Sequence, residues 1–505
     1  MTNSNNNRRI VKNTLFLYFR MLLTLSVTLY TSRVVLNNLG VEDFGIYNVV
    51  GGVVTMMAFL SGAMSSATQR FLAFELGKNN LEQLAKVFKM SLNIYWLIVL
   101  IVIIVAQTLG LWFVNTQLVI PPDRLVAANW VFQCTLFSFC CTVLGVPYNA
   151  AIIAHEKMSA FAYISIIDVL LKLTVIFLLV AYDGDKLQRY SLLLAVVSLL
   201  ILGCYYAYAR WQFAVTRFSW YWNAELFNTL FSYTGWNLFG NVASVATNQG
   251  INILLNLFFG TTVNAARAIA FQVNGAVTGF VTSLQMSINP QIVKSYANDN
   301  YVYMHQLIMG GSKYTFFLLY ALALPILLQT ETVLTLWLVN PPEHAELFCQ
   351  LILVDALITS LSGSLMASVQ ATGKIKRYQV IVGGTLFFNL PLSYFLLSNG
   401  GSAHTVFYVS IATSITALLF RFVLLKELIN LKVTQFFSKV IGRSLVVVLT
   451  TFFPLSLITF STGNLVIDFI LMSALIVIFT IMAMFMLGLE KFERDFIRAR
   501  IHKFF

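Results

Sequence analysis

The sequence predicts an all-α polytopic membrane protein, with about 14 transmembrane helices forming two six-helix lobes and two extra C-terminal helices. Three observations support this fold class: the composition, the length of the apolar stretches and a pattern that returns once. Of 505 residues, 58% are hydrophobic and only 10% are charged, and the mean hydropathy is +0.79. Soluble chains carry about 25% charged residues, so a soluble domain of ordinary surface is excluded.

The apolar stretches are long enough, at about 20 residues or more, for a helix to cross roughly 30 Å of hydrocarbon. They lack the strict alternation of a transmembrane β-barrel. The predicted spans are residues 12–36, 44–69, 90–114, 125–147, 160–182, 190–209, 229–259, 264–290, 306–330, 345–370, 378–398, 404–425, 440–461 and 465–488.

A repeated pattern indicates duplication. The tetrapeptide Asn-Thr-Leu-Phe opens an apolar run at residue 13 and another at residue 228. The first run turns at Gly40 and its unit closes on Asn79-Asn80; the second turns at Gly260 and closes on Asp299-Asn300. Each half would hold an even number of spans, so the two lobes would share one orientation, related by a pseudo-twofold axis along the membrane normal.

The repeat predicts the organisation of the whole chain. The expected parts are an N-terminal lobe at 1–209 (spans 1–6), an interfacial connector at 210–228, a C-terminal lobe at 229–425 (spans 7–12), spans 13–14 within 426–488 and a basic cytoplasmic tail at 489–505. Residues 72–89 are expected to form an amphipathic cytoplasmic helix. Tryptophans in the connector are typical of a membrane–water interface.

The basic residues predict the topology. Of the 32 lysines and arginines, 24 fall at alternate loops, the two tails and the adjoining span ends, whereas five fall on the opposite side. Loops and tails rich in lysine and arginine stay on the cytoplasmic side of the membrane, so both termini are predicted to be cytoplasmic. The net charge of +12 then reflects topology, and no nucleic-acid partner is expected.

Arg20 is the first of several polar groups predicted inside spans. An ionisable group at a span centre costs about 2.5–3.5 kcal/mol on insertion scales, so it needs a wet or paired environment. Arg20 shares a helix face with Asn13, Thr24 and Thr31, which favours an orientation towards the protein interior. The alternative is an arginine that extends back to the inner headgroups.

Spans 7 and 8 carry the densest polar stripes. They contain Asn237, Asn241, Ser244, Asn248 and Asn252 on span 7, and Arg267, Asn274, Thr278 and Gln285 on span 8. Amide groups can hydrogen-bond sugar hydroxyls as donors and as acceptors. The alternative is that these residues hold neighbouring helices together.

Further charged residues lie within spans. Asp168 and Lys172 are four residues apart on span 5 and form either an ion pair or a second part of the cavity; Lys172 is then a substrate-binding candidate and Asp168 an ion-coupling one. Asp355 in span 10 has no cation within one turn and could bind a coupling cation. Alternatively, Asp355 pairs with Lys313 of span 9.

This set of residues suits transport of a polyanion. Arginine binds phosphate oxygens bidentately and stays charged at physiological pH, so a diphosphate joined to sugars would fit. No phosphate-binding P-loop is present, the predicted outer loops are too short for an oligosaccharide ligase or polymerase, and His155-Glu156 lacks the second histidine of a zinc motif. We therefore expect no enzyme activity, no cofactor and no metal site.

Several motifs resemble those of a known family. Residues 39–47 (Leu-Gly-Val-Glu-Asp-Phe-Gly-Ile-Tyr), 155–158 (His-Glu-Lys-Met) and 371–376 (Ala-Thr-Gly-Lys-Ile-Lys) are similar to loop motifs of the polysaccharide flippases. That family belongs to the multidrug/oligosaccharidyl-lipid/polysaccharide exporter superfamily. The resemblance covers nearly the whole chain in the number and order of the spans.

The resemblance implies a function. Such a protein translocates undecaprenyl-diphosphate-linked oligosaccharide across a bacterial cytoplasmic (inner) membrane, by alternating access, for O-antigen, capsule or exopolysaccharide synthesis. Arg20 and Arg267 match the kind of position at which these flippases carry cavity arginines, and a coupling cation (H⁺ or Na⁺) and polysaccharide polymerase or assembly partners are implied. Span 2 has no basic residue before Arg70, unlike lipid II flippases, which favours surface polysaccharide. The alternative is an ion-coupled multidrug exporter of the same superfamily.

Overall fold

The computed structural model describes residues 2–55, 58–118, 120–181, 184–217, 219–338, 341–458 and 463–495, and all regular secondary structure in these ranges is helical. The helices up to residue 297 are α1 (Thr2–Thr55), α2 (Ala58–Gly77), α3 (Leu81–Val105), α4 (Leu111–Thr116), α5 (Leu125–Ala154), α6 (Met158–Ala181), α7 (Lys186–Gln212), α8 (Ala224–Phe259) and α9 (Thr261–Ala297). The remainder are α10 (Tyr301–Leu328), α11 (Thr330–Leu338), α12 (Ala345–Ser360), α13 (Gly363–Thr372), α14 (Lys376–Tyr378), α15 (Gly384–Phe387), α16 (Asn389–Ser398), α17 (Thr405–Ile429), α18 (Val433–Phe436), α19 (Arg443–Ser456) and α20 (Leu465–Ala483).

Three π-helical turns join one helix to the next, and a fourth ends α20, after which Leu489 is extended. They are Ala106–Gly110, Gln379–Gly383, Phe437–Gly442 and Met484–Gly488. Each of the four ends on a glycine. A π turn holds one residue more than the α-helical turn it replaces.

Twelve helical segments in the described ranges are long and apolar enough to cross a membrane, so the predicted class of multi-pass helical membrane protein is confirmed. Two of the fourteen predicted spans, at 44–69 and 264–290, are not among the twelve. The second lies in α9, which is helical throughout but rich in polar residues. The first is divided between α1 and α2, around two residues outside the described ranges.

The turn predicted at Gly40 is present as a break inside α1, where Gly40 leaves the helical conformation with φ 80° and ψ 169°. One local prediction is wrong. The predicted amphipathic helix 72–89 is interrupted, because α2 ends at Gly77 and α3 begins at Leu81. Asn79 between them is left-handed, and Asn80 caps α3 by accepting a hydrogen bond from the Gln83 N–H.

The internal repeat is visible in the backbone. Left-handed residues in the first half recur 216 to 220 residues later: Gly40 with Gly260, Asn79 with Asp299, Glu156 with Gly373, and Gly184 with Gly400. The cap of α3 also recurs, since the Asn300 side chain accepts from the Tyr303 N–H at the start of α10. The two halves therefore specify their turns in the same way.

The described chain divides into two units. The first comprises Met1–Asn241 with Val293–Asp299, and the second comprises Val242–Ile292 with Asn300–Phe505. In the first unit α5 packs on α7 and α2, and α1 packs on α6; in the second, α12 packs on α17 and α10. The helices α8 and α9 contribute residues to both units. The predicted lobes, 1–209 and 229–425, stay predictions.

One of the motifs has a structural role in the first unit. The Asp43 carboxylate receives two hydrogen bonds from Arg124, with Nε–Oδ1 at 2.9 Å and Nη2–Oδ2 at 2.5 Å. Arg124 also donates from Nη1 to Asp185 Oδ2 at 2.8 Å. Through Arg124, Asp43 of the Glu-Asp-Phe-Gly motif thus joins α1 to the starts of α5 and α7.

Candidate functional site

A polar cavity of about 240 Å³ lies within the second unit. The helices α8, α9, α12 and α17 surround it. Its lining combines amide, hydroxyl, carboxyl and guanidinium groups with apolar side chains: Asn248, Ile251, Arg267, Phe271, Asn274, Leu351, Ile352, Asp355, Val406, Phe407 and Ser410. Four residues predicted from the sequence, on three different helices, therefore line one cavity.

Arg267 is the cationic group of this cavity and is only 8% exposed. Its Nη1 donates to Asn252 Oδ1 at 3.3 Å, and its Nη2 donates to the Asn248 carbonyl oxygen at 3.0 Å. Its Cζ lies 4.2 Å from the centre of the Phe271 ring. All three contacting groups are neutral, and Nε has no hydrogen-bond partner. The guanidinium thus keeps both its charge and a free donor.

Two acceptors in the cavity also lack a partner. Oδ1 of Asp355 and Oδ1 of Asn274 are buried without a hydrogen bond. Ser414 of α17 hydrogen-bonds the Asp355 carboxyl group. Unpaired buried acceptors are costly, about 1–3 kcal/mol each, so donors or a cation are expected to occupy this space.

The alternative pairing predicted for Asp355 is wrong. Lys313 of α10 instead contacts Glu493, with its Nζ at 2.7 Å from Oε1 and 2.6 Å from Oε2. Glu493 lies after the last span, so the chain beyond α20 returns to meet a buried lysine. Asp355 is left facing the cavity.

Arg20 belongs to a separate cluster in the first unit. Its Cζ lies 4.8 Å from the centre of the Phe161 ring of α6, and the Tyr205 hydroxyl of α7 is close enough to interact with its charge. Ser165 hydrogen-bonds Tyr205. As in Arg267, the Nε of Arg20 has no hydrogen-bond partner.

The remaining predicted residues are distributed differently. Lys172 donates to Asp168 at 2.8 Å along α6, which is the ion-pair alternative. Asn237 hydrogen-bonds Tyr233 in the first unit, and Asn241 lies beside Gly62 in the same unit. Gln285 fills the space above Gly363 and is not part of the cavity lining.

Sequence reasoning missed several residues of these clusters. Phe271 follows Arg267 by one helical turn, and Ser410 and Ser414 lie one turn apart on α17, so helical spacing could have indicated all three. Phe161 and Tyr205 are far from Arg20 in the sequence and gave no such signal. Within the described ranges, no group of three or more histidine, cysteine, aspartate or glutamate side chains could hold a metal ion.

Comparison with known proteins defines the fold. No family model matches the chain, and no curated protein matches it. Among solved structures, an outward-facing multidrug resistance MATE family transporter of the MOP superfamily has a TM-score of 0.69 at 15% identity, covering 83% of this chain and 96% of that one. A mutant of the Vibrio cholerae MATE transporter VcmN has a TM-score of 0.67 at 17% identity, covering 84% and 98%.

A third structure extends the comparison to a cation complex. The MATE transporter ClbM in complex with Rb⁺ has a TM-score of 0.67 at 11% identity, covering 82% of this chain and 94% of that one. At such low identities the similarity shows the fold. The chain therefore has the MATE-like fold of two helical lobes, and nearly the full length of each transporter is matched.

Proposed function

We propose that this chain is a membrane transporter that moves its substrate by alternating access, with no covalent chemistry. The MATE-like fold and the twelve segments long enough to span a membrane support this class. The polar cavity of the second unit supplies a binding site among membrane helices. Solute-binding sites of secondary transporters commonly lie in such positions.

For the substrate, we propose a phosphate-bearing amphiphile, a lipid-diphosphate-linked oligosaccharide destined for surface polysaccharide. The observation that carries this proposal is Arg267, a buried guanidinium whose contacts are all neutral. A cation held in this way is available to a phosphate oxygen, and amides beside it can bind sugar hydroxyls. The cavity of about 240 Å³ is below the roughly 300–1,000 Å³ of sites for drug-sized ligands, which suits a compact charged group.

The second candidate is a cation-coupled multidrug exporter, and the solved structures favour it, since the first of them is a multidrug transporter. The specific observation in this chain is Asp355, a carboxylate in the cavity with one oxygen unpaired. Such a group can bind and release a cation during transport. The two candidates differ in whether Arg267 or Asp355 binds the transported molecule.

Reconstitution into liposomes distinguishes them. One preparation contains a fluorescent polyprenyl-diphosphate oligosaccharide, and its exposure to an outer quencher reports translocation. A second contains a cationic fluorescent drug and is given an inward Na⁺ or H⁺ gradient. We expect translocation of the lipid-linked sugar. Gradient-driven drug export without movement of the lipid-linked sugar would establish the second candidate instead.

A further inference from the structure

A fully buried carboxylate lies outside the candidate site, in the turn between α5 and α6. The side chain of Glu156 is 0% exposed and forms two ion pairs, with Arg9 Nε at 2.7 Å from Oε2 and Lys294 Nζ at 2.5 Å from Oε1. Asn13 Nδ2 also donates to the Glu156 carbonyl oxygen at 3.1 Å. The Glu156 clasp, as we name Arg9, Glu156 and Lys294, thus joins the beginning of α1 and the end of α9 to one turn.

The backbone indicates that this glutamate has a role beyond the turn itself. Glu156 has φ 60°, whereas glycine occupies the corresponding position of the second half, at Gly373 with φ 77°. A left-handed conformation costs a residue with a side chain roughly 1–2 kcal/mol, and glycine avoids this cost. Strain of this kind persists only where surrounding contacts impose it, and it clusters at functional sites.

The end of α9 is fitted closely into the same region. A Cβ on Gly77 of α2 would lie 2.9 Å from the Lys294 backbone and 2.7 Å from the Ala297 Cβ. Residues Val293–Asp299 belong to the first unit, whereas residues 242–292 belong to the second. The clasp therefore holds the last turn of α9, within residues 293–299, which belong to the first unit. The preceding residues of α9 belong to the second unit.

We propose that the Glu156 clasp is a gate of the transport cycle, closed in this structure, and that its opening releases the end of α9. This inference rests on the proposed transporter function. Arg9 is 45% exposed and Lys294 is 19% exposed, so both cations can return to water when the clasp opens. An ion pair can open when water replaces one charged group as the partner of the other. A contact that stays closed throughout the cycle would not need a glutamate in a strained conformation.

The first test does not depend on any substrate. Glu156→Gly removes the carboxylate and also the backbone strain, so the variant keeps a compatible turn. Amide hydrogen exchange of residues 293–299 should accelerate about tenfold or more, because loss of a buried ion pair makes local opening of this segment easier. Glu82→Gln, which removes an exposed carboxylate paired with Lys86, is the matched control and should change nothing there. Unchanged hydrogen exchange in Glu156→Gly would refute the proposal that the clasp holds the end of α9.

The second test distinguishes a gate from a permanent tie. Glu156→Cys combined with Lys294→Cys is bridged by a cleavable bifunctional thiol reagent, and the parent protein with its own cysteines receives the same treatment. Transport by the bridged protein should fall at least about tenfold and return after reduction, because the cycle needs the contact to open. Unchanged transport by the bridged protein would refute the gate. Absence of the proposed transport in the untreated parent protein would refute the proposed function, and the hydrogen-exchange result would still decide whether the clasp holds the end of α9.

Discussion

The side chains of Arg267 and Arg20 have similar surroundings. Each guanidinium lies over a phenylalanine ring, at 4.2 Å and 4.8 Å, and each has an Nε without a partner. An aromatic face attracts the cation without neutralising it, and a guanidinium loses less hydration than an ammonium. A donor and a charge therefore stay available to a ligand.

Arg267→Gln is expected to lower transport of the lipid-linked sugar about tenfold to a hundredfold, since a hydrogen bond to a charged group contributes roughly 1.5–3 kcal/mol. Arg267→Lys should recover part of the rate, because it restores the charge without the planar fork. Liposome translocation measures both. The control is Arg217→Gln, at an exposed position outside the cavity. An unchanged rate in Arg267→Gln would remove this arginine from the site.

His155, next to the clasp, is held neutral. Burial is the main reason that the pKa of His155 is lowered to about 4, and the nearby Lys294 and Lys157 lower it further, although a hydrogen bond to the Ala151 carbonyl opposes this. The ring stacks on Phe213 with centroids 3.9 Å apart. The unfolded chain would bind a proton near pH 6.5, so this histidine favours folding above that pH.

The stabilisation should be lost as pH falls from about 6.5 towards 4, by roughly 2 kcal/mol between pH 7 and pH 5, because the unfolded state then binds more protons. Thermal unfolding in detergent at the two pH values measures it. Other groups titrate in the same range, so His155→Gln is the matched control and should show a smaller fall in melting temperature. Equal falls in both proteins would contradict the assignment.

At the level of the helices, an ion pair attaches the segment after α20 to α10. Glu493 contacts the buried Lys313 and also accepts from the Tyr314 hydroxyl at 2.6 Å. Burial alone would raise the pKa of Glu493, but the hydrogen bonds from Lys313 and Tyr314 outweigh it and lower the pKa. The segment was predicted only as a basic tail, because its charge is visible in the sequence and its return to α10 is not.

Glu493→Gln is expected to destabilise the second unit, because it leaves the ammonium of Lys313, only 4% exposed, without its counter-charge. Removing one partner of a buried pair costs about 3–5 kcal/mol, and the partial exposure of Glu493 places the effect at the lower end. The melting temperature in detergent measures it. Glu490→Gln removes a looser pair with Lys439, at 3.4 Å, and should have a small effect. Similar effects in both variants would contradict a special role for Glu493.

At the scale of the whole molecule, the sequence predicted the helical class, most of the spans and the repeat, because these depend on local composition and short motifs. Asn79-Asn80 and Asp299-Asn300 mark this repeat in the sequence. Their left-handed and capping conformations agree with the residue types, although the expected helix 72–89 ran through the first pair. The cavity depends on contacts between distant segments. Helical periodicity puts Arg267 and Asn248 on the polar stripes of their helices, and both line the cavity. The neighbours of Arg20 and the partner of Lys313 are distant in the sequence and have no such signal.

The charge distribution predicts that both termini lie in the cytoplasm. A reporter that is active only in the cytoplasm, fused at either end, should therefore be active in both fusions. Fusions within the predicted outer loop near residue 186 are the control and should be inactive. Activity at only one terminus would mean an odd number of crossings.

The three π-helical turns that have helix on both sides limit where a transmembrane segment can lose a residue. Elsewhere in a helix, losing a single residue turns everything beyond it by about 100°, so that lipid-facing side chains point inward. At Ala106–Gly110, Gln379–Gly383 and Phe437–Gly442, the same loss converts a wide turn into an ordinary one and leaves the orientation of the remaining helix intact. These are the places where a transmembrane segment of this protein can shorten by one residue during evolution without being rebuilt.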